Sequence, residues 1–172
     1  MTTFYPHRAA NELTTVLRAV GVASFPVDVQ RIALEISREK YPDDPIVGIK
    51  GDNLPGFEGA LTPAPPGKNG WGILYNSAIT SRGRINFTLG HEFGHYLLHR
   101  KAYPKGFTCS TEDMARWESE YAQRESEANA FASTILMPLD DFRAQIEPHV
   151  RPDFDGLGYC ADRYDVSLIA AT

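Results

Sequence analysis

The run His91-Glu92-Phe93-Gly94-His95 lies inside Ile85–Arg100, a stretch that reads as a helix. Four residues make about one helical turn, so the two imidazoles project from one face and can share a tetrahedral cation. Glu92 then leans beside them, toward the open coordination position. With 5 His in 172 residues, chance yields about 0.009 such motifs per chain, which favours function over accident. A catalytic zinc site needs three protein ligands and one open position, so a third donor must come from elsewhere. The long helix ending at Met137-Pro138 supplies it. Its apolar face is marked by Tyr121, Ala128, Phe131, Ala132, Ile135 and Leu136. Glu125 falls on or beside that face, whereas Glu127 points roughly the other way. A carboxylate turned into a core without a partner is costly, so Glu125 calls for a cation. The plainer alternative is a surface ion pair with Arg124 or Arg116. Asn129, one turn after Glu125, can offer its amide oxygen to the far N–H of a ligand histidine. His99, eight positions after His91, extends the histidine face and is read as standing behind the ligands or at the helix end, where the dipole favours it. Two histidines and a carboxylate suit Zn2+ best, and such a donor set also accepts Mn2+ or Fe2+.

Working outward, Ala10, Leu13, Leu17 and Val20 predict a first helix over roughly 8–20, closed by Gly21. Asp28 is placed to cap a second, in which Val29, Ile32, Ala33 and Ile36 share a face. From Tyr41 to Asn76 the helical period vanishes, and Ile46–Lys50, Phe57–Leu61 and Trp71–Tyr75 read as strands of a small sheet. Thr62–Gly70, rich in Pro and Gly, reads as a hairpin loop. After the long helix, Leu139, Phe142 and Ile146 suggest a short amphipathic helix. Leu157, Cys160, Ala161 and Tyr164 share one face of another, and the apolar run Leu168–Ala171 reads as a helix cut short at the chain end.

The composition agrees with one globular domain, or one domain with a small appendage: 42% of residues are apolar and 23% charged. Seventeen Lys+Arg against 22 Asp+Glu give a net charge of -5. That sign disfavours nucleic acid as a direct ligand. No basic amino-terminal region precedes an apolar run, and no apolar stretch approaches the ~20 residues that span a bilayer, so the chain reads as cytoplasmic with no membrane partner. Cys109 and Cys160 are too few for a disulfide framework and are read as packing residues.

Arg84 to His99, RINFTLGHEFGHYLLH, resembles the R-x-x-F-T-L-A-H-E-x-G-H-Y-x-L-H signature of the ImmA/IrrE metallo-endopeptidases. Glu125 to Ala132, ESEANAFA, with Leu136-Met137-Pro138, resembles that family's second block, and Phe25 to Ala33 its amino-terminal helix. The resemblance departs at Gly90, where Ala is usual, and at the carboxy end, where the family often continues past a segment like Val166-Ser167-Leu168-Ile169-Ala170. It implies an α+β, zincin-like fold, with a small mixed or antiparallel sheet packed on helices. Residues 1–150 would form the metallopeptidase domain and 151–172 a short helical tail. His91, His95 and Glu125 would bind the metal, and Glu92 would act as catalytic base, passing a proton from water to the leaving amine. The implied activity is zinc-dependent cleavage of a helix-turn-helix repressor, with derepression of stress-response or mobile-element genes. The acidic charge fits a basic, DNA-binding substrate. Zincins commonly add the substrate to a sheet edge, for which Trp71–Asn76 is the candidate, an inner strand being the alternative. Tyr96, Tyr121, His99 and His149 are candidates for an oxyanion or substrate contact. Two other readings stand beside this one. Cys109 would give a His/His/Cys set as in peptide deformylase, although there the cysteine precedes the motif. The other is a non-catalytic, metal-stabilised regulator or toxin-antitoxin partner that binds a repressor without cutting it.

Overall fold

Asp28 accepts the Arg31 backbone N–H at 3.0 Å and so starts helix α2, Val29–Lys40, where the sequence placed it. The computed structural model describes residues 5–19, 25–106, 111–146, 149 and 153–171. Before α2 runs α1, Pro6–Ala19, which buries Ala10, Leu13 and Leu17. Gly21, its expected terminator, lies outside the described residues, as does Cys109. On α2 the fully buried polar residue is Ser37, while Ile36 is half-buried. The Ser37 hydroxyl accepts the Ile46 N–H at 2.9 Å and ties α2 to the first strand.

Three strands follow: β1 (Ile46–Asp52), β2 (Gly59–Pro63) and β3 (Trp71–Asn76). They form a mixed sheet of order β1-β3-β2, with β1 parallel and β2 antiparallel to β3. The Thr62–Gly70 hairpin expected from sequence joins β2 to β3. Trp71–Asn76 is therefore the inner strand, and the edge beside the histidine helix belongs to β2. Proximity in sequence misled here because β3 inserts between β2 and β1, which leaves β2 at the edge.

Helix α3, Arg82–Leu98, starts three residues earlier than Ile85 because Ser81 caps it, accepting the Arg84 N–H. It ends at His99, whose backbone leaves helical geometry. Helices α4 (Thr111–Leu136) and α5 (Leu139–Gln145) follow, then α6 (Phe154–Tyr164) and a 3₁₀ turn at Leu168–Ala171. The main core joins Leu89, Phe93 and Tyr96 of α3 to Phe131, Ile135 and Leu136 of α4, with Ile73 and Leu61 beneath. Gly90 belongs to this contact: a Cβ there would stand 3.3 Å from Cα and Cβ of Ala132, so glycine lets the two helices approach. Cys160, Ala161 and Tyr164 pack against Phe25, Phe142 and Ile146, and the Tyr164 hydroxyl donates to Asp141 at 2.6 Å. No described helix is long and apolar enough to cross a membrane.

The carboxy end of α3 is locked by a buried arginine. Arg100 stacks on Tyr41 and Tyr96, 4.0 and 4.2 Å from their ring centres, and donates to Asp44 at 2.9 Å. Asp44 also accepts from Trp71 Nε1 at 2.7 Å. One ion pair thus joins the histidine helix to the sheet and to the turn before β1.

Candidate metal centre

His91 and His95 leave α3 one turn apart, and Glu125 reaches them from α4. Their donor atoms all lie within 4.8 Å of one another. Nε2 of His91 is 3.2 Å from one Glu125 oxygen, Nε2 of His95 is 3.3 Å from the other, and the two Nε2 atoms are 2.9 Å apart. Each Nδ1 turns away from this point. That of His91 donates to Asn129 Oδ1 at 2.8 Å, the partner and atom expected from sequence. With the ring proton of each histidine on Nδ1, both Nε2 lone pairs are directed inward, as metal ligation requires. The group can hold a metal ion, and an N,N,O donor set suits zinc or a neighbouring divalent metal.

The electrostatics follow from burial and this clustering. Burial alone would raise the Glu125 pKa, but hydrogen bonds and charge from His91 and His95 outweigh it and hold the carboxyl far below the usual range. Burial opposes the charged form of His91, yet Glu125 and Glu92 prevail and raise it. For His95 burial wins and lowers the value. Glu92 is 7% exposed, and burial, aided by the Glu125 charge, pushes its carboxyl up to about 7.

Glu92 faces a cavity of about 280 Å³ whose walls include Phe57, Glu58, Gly59 and Ala60 at the start of β2, Phe87 and Thr88 on α3, and Tyr121 on α4. Its carboxylate accepts the Leu61 backbone N–H. That contact is possible because β2 runs close: a Cβ on Gly59 would collide with the Thr88 methyl and sit 3.0 Å from Glu92 Oε1. Gly59→Ala is therefore expected to cost about 1–3 kcal/mol through overpacking. Zinc affinity should stay unchanged, since β2 contributes no donor to the cluster; thermal melts and zinc titration of the purified variant check both.

The other sequence candidates separate. Tyr121 lines the cavity. Tyr96 does not: it is fully buried, and its hydroxyl donates to the Asp44 carbonyl at 2.7 Å, so it braces the fold. His149 is exposed in a turn outside the cavity lining. Glu125 meets the histidines rather than a surface arginine; the described side chain of Arg124 lies on Tyr103 and Glu120, and that of Arg116 is outside the description. Glu127 departs most from expectation. It accepts from His99 Nε2 at 2.9 Å, and His99 Nδ1 lies 3.0 Å from His95 Nδ1. Helical projection placed Glu127 on the opposite face from Glu125, but His99 stands at the C-cap and its ring reaches the flank of α4. The threefold spacing of His91, His95 and His99 is the signal that marks it. The Leu61 N–H was missed for a different reason, because a backbone donor has no side-chain signature.

Comparison with known proteins adds the following. The family model described as the IrrE N-terminal-like domain, Peptidase_M78, matches residues 49–172. No curated protein matches the sequence. Among solved structures, a Mycobacterium tuberculosis transcriptional regulator is similar in fold, with a TM-score of 0.59 and 18% identity over 96% of this chain. The chain spans 45% of that protein's length. A model match over well more than half of the sequence, taking in β2 and both ligand helices, places the chain in the Peptidase_M78 family of metal-dependent peptidases, with an IrrE N-terminal-like domain.

Proposed function

We propose that this protein is a zinc-dependent endopeptidase of the cytoplasm that cleaves a DNA-binding helix-turn-helix repressor and so releases the genes it controls. The observation that carries the reading is Glu92: a buried carboxyl, poised near neutrality, beside a cluster of two imidazoles and a carboxylate at the floor of an open cleft. His91, His95 and Glu125 would hold the cation, which supplies Lewis-acid polarisation of water and of a peptide carbonyl. Glu92 takes the proton released by the attacking water and returns it to the leaving amine. Its hydrogen bond from the Leu61 N–H holds the carboxylate toward the cleft while it does so.

The substrate backbone is aligned by β2. Glu58 and Ala64 bond to β3 through Asn76 and Gly70, so even-numbered residues of this segment face the sheet. Gly59 and Leu61 consequently turn their polar groups outward, and Leu61 meets Glu92 there. A peptide added along Gly59 lies across the cleft above the histidines. The net charge of -5 favours approach of a basic DNA-binding protein without contact to the nucleic acid itself.

The test is incubation of the zinc-loaded protein with helix-turn-helix repressors from its own genome, any encoded in a neighbouring gene first, followed by mass spectrometry of the products. Discrete fragments that vanish with a chelator are expected; an intact repressor after prolonged incubation overturns the reading. A second reading is a regulator that binds a repressor without cutting it. The similarity of fold to a protein described as a transcriptional regulator favours it. Repressor capture without fragments would select it.

A further inference from the structure

We propose that His99 and Glu127 form a positioning relay behind His95 that fixes its ligating tautomer and sets metal affinity. The inference rests on reading His91, His95 and Glu125 as a metal centre. His95 presents Nε2 to that centre, 3.3 Å from Glu125 Oε1, so its ring proton belongs on Nδ1. Nδ1 lies 3.0 Å from His99 Nδ1, which must then offer a lone pair. The proton of His99 is thereby placed on Nε2, 2.9 Å from the Glu127 carboxylate. Two neutral imidazoles in series, each donating onward, end on a negative charge; His95 and His99 are buried where α3 meets α4, and Glu127 stands partly exposed at the rim.

The alternative proton arrangement is unproductive. If His99 carried its proton on Nδ1, His95 Nδ1 would become the acceptor and Nε2 would carry the hydrogen, blocking ligation. Glu127, an acceptor only, forbids this state, because it requires a proton from His99 Nε2. Gln123 Nε2 donates to the other Glu127 oxygen at 2.8 Å and holds the carboxylate in place. His91 has a different arrangement, with one neutral amide, Asn129, directly behind it. The two ligands of the motif are thus supported unequally: one by an amide and the other by a charge acting through an intervening imidazole.

The experiment measures zinc affinity of the full chain by competition with a chromophoric chelator, alongside the thermal midpoint of each metal-free variant. His99→Phe removes the acceptor for His95 and is expected to weaken zinc binding 10–100-fold. His99→Gln, whose amide oxygen can accept from His95 Nδ1, should recover most of that loss. Glu127→Gln, which can donate as well as accept, should fall between the two. Wild-type affinity in His99→Phe and Glu127→Gln overturns the relay. So does a loss in His99→Phe that His99→Gln fails to recover, or one matched by an equal drop in metal-free stability across the three variants, since these mark a packing role. If the wild type itself binds no zinc, or binds it equally after Glu125→Ala, the metal centre fails and the relay with it; wild-type binding lost in Glu125→Ala but unmoved in the relay variants sinks the relay alone.

Discussion

Glu92→Gln is expected to lower peptide hydrolysis about 10²–10⁴-fold, the usual worth of a general base, while zinc binds as it does to the wild type. The donor cluster is His91, His95 and Glu125, so the substitution removes no ligand, and the glutamine oxygen can still accept from Leu61 N–H. A stability change accompanies the loss. Burial, with the Glu125 charge adding to it and His91 and the Leu61 N–H opposing it, pushes the Glu92 carboxyl from 4.5 to about 7. The folded protein then holds this proton more tightly than the unfolded chain, so stability falls as pH rises from about 4.5 to about 7 and stays reduced above. Glutamine does not ionise. The metal-free variant should therefore be more stable than the wild type at pH 8, by on the order of 2–3 kcal/mol, with the difference closing toward pH 4.5. Denaturant unfolding of chelator-treated proteins at the two pH values measures it. With the cation in place its positive charge favours the carboxylate, so the acid limb of the hydrolysis profile should lie below about 7. A variant that relieves repression as well as the wild type would show that proteolysis is not the function.

Glu125→Ala is expected to lose the metal, with zinc affinity falling by well over the 10–100-fold typical of outer contacts. It deletes the one negative ligand and the bridge between two imidazoles whose Nε2 atoms are 2.9 Å apart. Glu127→Ala should keep a full equivalent of zinc at reduced affinity, because Glu127 meets the centre only through His99. Equilibrium dialysis with metal analysis compares the two; retention in Glu125→Ala and loss in Glu127→Ala would reverse the assignment of the third ligand.

How far these residues could be read in advance varies with the range of the interaction that positions them. Asp28 as a cap, Val29, Ile32 and Ala33 on the buried face of α2 and the break after Leu136 depend on neighbours within a turn, and the structure places them as read, whereas Ser37 rather than Ile36 completes that face. The contact of Asn129 with a ligand histidine reaches across two helices, yet it was legible because each helix fixes its own face; which histidine it meets, His91, came from the structure. Tyr96 shows where that logic stops. It sits one residue after a ligand, but points about 100° away, into the aromatic stack around Arg100.

From the sequence alone came two ligand helices, the donors each carries on one face, and the acidic balance of the surface, because helical period and side-chain chemistry are properties of short segments. Tertiary structure alone decided that β2 rather than β3 borders the cleft, that a backbone N–H of Leu61 orients Glu92, and that Glu127 closes on His99. These depend on the insertion of β3 between β1 and β2 and on the close approach of α3 to α4 at Gly90. Both are packing outcomes between segments distant in the chain, and no local period encodes them.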